Sequence, residues 1–508
     1  MANLKKTAIW ITLLAIFLKL SGFLRESIIA SQFGASAQTD GYLLAFSFIT
    51  LVVAMISVGF NNVFLPLYTK ERKKDPAATE KSANALLNLT VLLFLILTVP
   101  LVIWADQIVP FIYGNMSPAT EEVAVNVTRL FFLGMSAIAL NGILESYLQS
   151  RRTFVPSHIS KLLATLMGAV FALLFSEQWG INSLAYGFLF GTFCGIVIQF
   201  IFLRRRDYVW RPELKLDKTF QKTFIVLIIP SLLNSVVGQI NMFVNKIFAS
   251  GTIEGAVTYL NNASLLVSIP HAIYGTTIAA IIFTLLSEQV DNLKEFQRTF
   301  FRGMQLTLLT LLPIVGGIFI VGYPVIEFIF QRGAFTAEDT QGTYLALAMY
   351  LPMIITQGLQ YIVSKSMYAQ GKTAIVFRIS VTTIVLNLVL NYLLVEQFGY
   401  PGLALSSSLV SVYYLTVSTI FVYRGFEKGE ARKLLQLLAR GVPPTLIMVL
   451  PLYGLQQTGL LDPLYSLFEI MIYVPLGILL YVAALYFIYR EGFNSLLSIV
   501  KRKVKKTA

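Results

Sequence analysis

Lys19, Arg25 and Glu26 stand within the first apolar stretch of this chain, and Asp40 opens the second. Residues 7–18 are almost wholly apolar and form the leading half of a helix long enough to cross a bilayer, so Lys19 falls near mid-span. A charge at that depth costs roughly 2.5–3.5 kcal/mol on insertion scales, and by default it faces a water-filled cavity or a partner. Six residues at about 100° each set Arg25 roughly a third of a turn from Lys19, so the two do not share one narrow face. Gly22 lies between them and allows a bend or the close approach of another helix. A helix end that snorkels its long side chains to the interface is the competing reading, and it suits Arg25 and Glu26 better than the deeper Lys19. The chemistry on offer is ion pairing: ammonium and guanidinium groups that hold an anion, with carboxylates able to exchange partners with them. Lys246, inside a later apolar stretch, adds a third cation. Asn61, Asn62, Gln239, Asn241 and Asn245 supply amides for sugar or peptide groups, or for hydrogen bonds between helices. Lys161, Lys365 and Arg378 lie near span ends and are expected to snorkel.

Catalytic chemistry has no comparable footing. His158 and His271 are the two histidines, and neither stands beside a Cys or carboxylate motif, so a metal ligand set and a nucleophile–histidine pair are both missing. The phosphate-binding pattern G-x-x-x-x-G-K-[ST] does not occur. The chain reads as a non-enzyme that needs no cofactor. A transporter built this way draws its energy from the membrane potential, an ion gradient or consumption of the product, and Asn387 or Asn391 offers a candidate cation site.

The elements that must carry these residues are membrane spans. Of 508 residues, 56% are hydrophobic and 13% charged, against about 25% charged in soluble domains. The mean hydropathy is +0.72. The single cysteine, Cys194, lies in an apolar run and excludes an intrachain disulfide; it is expected to be a small buried hydrophobe. Apolar segments of about 20 residues or more, the length a span needs, fall near 8–32, 39–67, 83–105, 123–149, 157–176, 181–203, 221–249, 256–287, 300–322, 339–369, 374–395, 401–423, 435–455 and 466–489. The fold class expected is therefore all-α integral membrane with fourteen transmembrane helices.

The formal net charge of +13 would suggest nucleic acid if it were spread over a soluble surface. It is gathered instead in alternate loops, at Lys70 to Lys74, Arg151–Arg152, Arg204 to Arg206, Lys294, Lys372, Arg424 to Lys433, and the tail from Lys501. The intervening loops carry Asp106, Glu121, Glu177, Glu254, Glu338, Glu396 and Asp462. The positive-inside rule then places both termini in the cytoplasm, with no nucleic acid partner. The first apolar stretch outruns a signal-peptide core and lacks a small-residue cleavage site, so it is expected to stay as helix one.

The chain also repeats. Glu177-Gln178-Trp179-Gly180 with Leu184-Ala185 returns as Glu396-Gln397-Phe398-Gly399 with Leu403-Ala404, a shift of 219, and Ala30-Ser31 returns as Ala249-Ser250 at the same shift. That shift spans six helices, an even number, so the halves share one orientation and a substrate site is expected between them. The division expected is 1–210 (helices one to six), 211–430 (helices seven to twelve) and 431–508 (helices thirteen and fourteen with a basic tail).

Three stretches resemble the MurJ/MviN family of the multidrug/oligosaccharidyl-lipid/polysaccharide exporter superfamily: Gly22-Phe23-Leu24-Arg25-Glu26 with Phe33-Gly34-Ala35-Ser36-Ala37-Gln38-Thr39-Asp40; Asn245-Lys246-Ile247-Phe248-Ala249-Ser250; and Arg332-Gly333-Ala334-Phe335-Thr336-Ala337-Glu338-Asp339-Thr340, the most specific. The resemblance covers roughly residues 8–425. It implies a flippase in the bacterial cell membrane for lipid II, the undecaprenyl-pyrophosphate-linked peptidoglycan precursor, working by alternating access between two six-helix lobes. It further implies that cavity cations hold the pyrophosphate and that helices thirteen and fourteen form a groove for the lipid tail. Carried over by residue, Lys19 stands where relatives usually have arginine, Arg25 and Asp40 match, and Glu26 replaces an aspartate. Val53 stands at a helix-two position often held by arginine. Ser264, Leu265 and Ser268 replace polar and charged residues of helix eight, and Lys246 compensates in part. The implied partners are the lipid-linked oligosaccharide, membrane lipids and cell-wall synthesis proteins. The alternatives are an exporter of another undecaprenyl-linked glycan or of small cationic drugs, and a transport-dead scaffold of a wall-synthesis complex.

Overall fold

Lipid offers no hydrogen bonds, so a chain that crosses it must satisfy its backbone within itself, and helices do this locally. The computed structural model describes residues 2–205, 208–273, 279–461 and 464–497, all helix and connecting turns with no strand among them. Arg206, Asp462 and the basic tail from Lys501 lie outside the described residues. The helices are α1 (Ala2–Phe33), α2 (Ala37–Arg72), α3 (Pro76–Ile103), α4 (Ala105–Tyr113), α5 (Pro118–Leu133), α6 (Met135–Ser150), α7 (Val155–Trp179), α8 (Asn182–Arg204), α9 (Lys218–Ser250), α10 (Ala256–Ile273), α11 (Ala279–Glu288), α12 (Leu293–Phe330), α13 (Ala337–Ala369), α14 (Thr373–Phe398), α15 (Tyr400–Tyr423), α16 (Glu430–Gln457) and α17 (Ser466–Ile488). Thirteen of the fourteen expected apolar segments fall on a helix or a helix pair; the one at 256–287 runs from α10 to α11 through residues 274–278, which lie outside the described residues. Ten described helices are long and apolar enough to cross a membrane, and one bent pair makes eleven. The chain is thus a multi-pass helical membrane protein, and the count of fourteen is a proposal that rests on the segment pattern.

Helix ends follow the local chemistry. Asp75 accepts a hydrogen bond from Ala78 N at 3.0 Å with Pro76 in the first turn of α3, and Ser117 does the same for Thr120 N at 3.2 Å ahead of Pro118. The repeated tetrapeptides end their helices alike. Gly180 closes α7 at φ 55°, ψ −143°, and Gly399 closes α14 at φ 63°, ψ −149°, a region that favours glycine. The expected continuous span at 123–149 is instead broken: α5 and α6 meet at Gly134 with a bend of 56°. A Cβ on Gly134 would stand 2.1 Å from Leu189 Cδ2, so the break lets a neighbouring leucine in.

Two compact units emerge, one of residues 1–258 with 332–336 and the other of 259–331 with 337–508. This differs from the expected boundary at 210. The reason is that α9 packs along α2 and also touches α4, so its residues join the first unit. In the first unit the core joins Phe60, Phe64 and Tyr68 of α2 to Leu86, Ile143, Tyr147 and Ile196, with Phe220 and Phe224 from α9. One end of this unit is locked around Glu80, whose carboxylate takes the Tyr68 and Tyr147 hydroxyls and pairs with Arg151 at 2.6 Å. Arg151, one of the cations expected in a loop, has a side chain only 6% exposed and lies 4.9 Å over the Tyr147 ring. In the second unit Phe300, Met304, Leu308 and Leu312 of α12 form the spine of a core that Met367, Met448, Tyr473 and Tyr481 complete.

The tightest packing in the first unit is between α7 and α8. Gly187, Gly191 and Gly195 present one bare stripe of α8, and added Cβ atoms would sit 2.3 Å from Met167 O, 2.4 Å from Leu163 O and 2.0 Å from Ser160 Oγ. Small residues at this spacing let backbones approach, which is how helices associate where lipid removes the hydrophobic drive. Gly191→Ala is therefore expected to destabilise the protein by about 1–3 kcal/mol through overpacking. Gly454→Ala, where the space is open, is expected to be neutral or to gain up to about 1 kcal/mol of helix propensity. Thermal unfolding of the two purified variants checks the contrast.

Candidate functional site

The first unit brings three of the expected charges together. The Arg25 guanidinium pairs with Glu26 at 2.5 Å, and both side chains are largely buried. Arg25 also lies 4.4 Å over the ring of Phe46, one turn along α2 from Tyr42, with the two rings stacked at 5.6 Å. Phe131 and Phe188 close around Phe46 at 6.1 and 5.5 Å. An arginine stacked on a ring and paired with a carboxylate keeps its charge away from water at reduced cost. Its Nε is buried and has no hydrogen-bond partner.

Lys246 comes from α9. Its ammonium donates to Ser47 Oγ at 2.6 Å, and Ser47 is in turn bonded to Leu43 O at 2.5 Å. Ser47 is the residue after Phe46, so the ammonium and the guanidinium are held at consecutive positions of α2. The site therefore joins α1, α2 and α9: two cations and one carboxylate held by an aromatic cradle and a serine relay. Asn61 and Asn241 each turn a buried amide oxygen to no partner, and Asn245 is buried on α9 beside Lys246.

Lys19 and Asp40 stand apart from this cluster. Lys19 is exposed on α1. Asp40 is buried, and its oxygens accept from Gly255 N at 2.8 Å, Thr258 N at 2.9 Å and Thr258 Oγ1 at 2.6 Å. It thus caps the first turn of α10, satisfying N–H groups that a helix start leaves open. Glu254 returns the contact by accepting from Ala37 N, in the first turn of α2, at 2.8 Å. The specific motif at Arg332 meets the same corner: Ala334 N donates to Ser31 O at 2.9 Å. A Cβ on Gly333 would lie 2.2 Å from Ser31 O and one on Gly34 2.6 Å from Ala334 O, and both glycines have positive φ. The expectation that Asp40 trades ion pairs is thus met by a different arrangement, in which its oxygens hold a helix start.

Other expectations shift as well. Gly22 has nothing within 4 Å of its Cβ position, so among the described residues no helix approaches there, and α1 runs through it unbroken. Lys161 pairs with buried Glu145 at 2.6 Å rather than reaching only for solvent. Cys194 is half-buried. Asn387 and Asn391 are buried on α14, with Asn387 Nδ2 at 3.4 Å from Asn391 Oδ1 and 3.3 Å from Ser406 Oγ. Ser264 and Ser268 bond carbonyls of their own helix, Asn261 O at 2.9 Å and Leu265 O at 2.7 Å. Sequence reasoning missed Phe46, Ser47 and Glu145. The aromatic pair four apart, Tyr42 and Phe46, was a readable signal, because that spacing stacks side chains on one helix face; Ser47 had none.

Known proteins line up with most of this chain. The family profile described as "Lipid II flippase MurJ" matches residues 29–474. A "Probable lipid II flippase MurJ" of Buchnera aphidicola subsp. Schizaphis graminum is 27% identical over 417 residues, 80% of this chain and 81% of the relative. One from Thermotoga maritima is 24% identical over 505 residues, 97% of this chain and all of the relative. Among solved structures, "Lipid II flippase MurJ, inward closed conformation" superposes with a TM-score of 0.81 at 22% identity, covering 95% of this chain and 99% of that one. The inward-facing form of a multidrug resistance MATE family transporter of the MOP superfamily gives 0.65 at 16% identity, covering 82% and 95%. At such identities the structures speak for the fold alone; the profile match, which spans most of the chain, speaks for descent. This chain belongs to the lipid II flippase MurJ family.

Proposed function

We propose that the chain moves lipid II from the inner to the outer leaflet of the bacterial cell membrane by alternating access, with both termini cytoplasmic. The observation that carries this reading, beyond family membership, is the Arg25–Glu26–Lys246 cluster on membrane helices. A pyrophosphate must cross about 30 Å of hydrocarbon, and cations already desolvated and held in place lower that cost by pairing with it. Lys19 is the exposed ammonium that meets the anion, Arg25 and Lys246 hold it, and Glu26 keeps Arg25 in place until the anion arrives. Asn61 and Asn245 supply amide groups to the headgroup. Asp40 belongs to the site through the helix start it caps. The divisions at 210 and 430 are read as limits of the sequence repeat. Membrane lipids surround the protein, and cell-wall synthesis proteins are its proposed partners.

A second reading, a different undecaprenyl-linked headgroup, draws on Val53 and on helix α10. Ser264 and Ser268 spend their hydroxyls on their own helix, and Leu265 carries no charge. Each cation absent from a phosphate site removes a charge-assisted hydrogen bond worth roughly 1.5–3 kcal/mol.

Reconstitution in liposomes with fluorescent lipid II and a competing lipid-linked glycan tests both readings. Lipid II is expected to flip, and Lys19→Ala to abolish flipping that Lys19→Arg retains; equal rates for the parent and Lys19→Ala would remove Lys19 from the site. Arg25→Ala leaves Glu26 buried without its guanidinium, a loss of about 3–5 kcal/mol. Arg25→Ala with Glu26→Ala is expected to recover thermal stability but not flipping, which separates holding the fold from holding the anion. Leu265→Arg is expected to tighten lipid II binding and make it more salt-sensitive, and a titration at two ionic strengths reads the change.

A further inference from the structure

Residues 208–217, ahead of α9, are not helical, yet they are not loose. Tyr208 N bonds Leu203 O at 3.2 Å, and the Tyr208 hydroxyl donates to Asn84 Oδ1 at 2.8 Å. Arg211 N donates to the same oxygen at 3.1 Å. Asn88 Nδ2 donates to Arg211 O at 2.8 Å and Glu213 O at 2.9 Å, and the Trp210 indole N–H donates to Asn88 Oδ1 at 2.9 Å. Lys81 pairs with Glu213 at 3.7 Å. Lys81, Asn84 and Asn88 are spaced by three and four, one face of α3, so residues 208–217 form a strap laid along its first turns.

What the strap turns outward is unusual for a loop. Val209, Trp210 and Leu214 are 64%, 55% and 54% exposed, and Arg204, Arg205, Arg211, Lys215, Lys218 and Lys222 beside them are exposed too. The neighbouring acids are engaged: Glu213 with Lys81, and Asp217 with Thr219 N and Phe220 N at the start of α9. The depth is fixed by the helices. Arg204 ends the span α8, and Asn88 stands where the polar start of α3 gives way to its apolar run. Trp210, its only donor already satisfied, therefore shows an apolar ring at the height of the lipid headgroups, where such rings settle.

We propose that Arg204, Arg205 and residues 208–222 form a docking surface for anionic phospholipid, with Trp210 and Leu214 entering the boundary of headgroup and acyl chain while the flanking cations take the phosphates. Cations alone would suit any polyanion; the rigidly held apolar residues among them fit a bilayer. The surface lies apart from the Arg25–Glu26–Lys246 cluster and does not depend on what the protein transports.

The test uses the full chain in phosphatidylcholine vesicles holding a fixed share of brominated-chain lipid, supplied either as phosphatidylglycerol or as phosphatidylcholine. Subtracting Trp210→Phe removes the background of Trp10, Trp104 and Trp179. Trp210 emission is expected to be quenched severalfold more by the brominated phosphatidylglycerol. In Arg211→Gln/Lys215→Gln/Lys218→Gln that excess is expected to vanish while quenching by the brominated phosphatidylcholine stays as in the parent. Salt at about 1 M, where the Debye length is about 3 Å, is expected to erase the excess in the unmodified protein, a readout that needs no variant to fold. The proposal is overturned if Trp210 is not quenched at all, or if both headgroups quench it equally at low salt.

Discussion

A charge kept inside a bundle of membrane helices must be paired or stacked, and that constraint orders the first unit. Arg25 could not stay buried without Glu26 on one side and the Phe46 ring on the other. Phe46 is in turn held by Tyr42, Phe131 and Phe188, which come from α2, α5 and α8. Lys246 meets the same demand more simply, with a serine hydroxyl at 2.6 Å. The packing of α9 on α2 is what delivers it there. Desolvated ion pairs contribute little net stability against apolar replacements of the same shape, so the pair is a weak source of stability for this unit.

The sequence made the spans legible because hydropathy and backbone satisfaction act over twenty residues at a time, and no tertiary contact overrides them. Gly180 and Gly399 were legible as a repeat, and their nearly equal dihedrals show that the repeat extends to backbone conformation. What escaped was decided by neighbours far along the chain. Leu189 fills the space beside Gly134, Glu80 pairs with the buried Arg151, and Glu145 pairs with Lys161. For the site, the charged residue types marked Arg25, Glu26 and Lys246 from the start. Their partners did not announce themselves, because a serine or phenylalanine in an apolar run is ordinary until the helix beside it is known. Asp40 shows the same limit from the other side: its position was readable, but a carboxylate that holds a helix start and one that exchanges ion pairs look alike in one dimension.

The residues at Val53, Ser264, Leu265 and Ser268 leave the architecture as it is. None of them disturbs a helix, and the two serines are satisfied locally.

The glycine stripe has a mechanical consequence. Where α7 and α8 meet backbone to backbone, there are few side chains to change rotamer or yield, and closely packed interiors are stiff. The two helices therefore behave as one strut. Helix α1 leans along α7, with Ser176 Oγ donating to Gln32 Oε1 at 3.3 Å near its end, and α1 carries Arg25 and Glu26. A tilt of the strut would reach the ion pair with little lost to compression on the way, so the charged cluster and the bare face of α8 belong to a single lever.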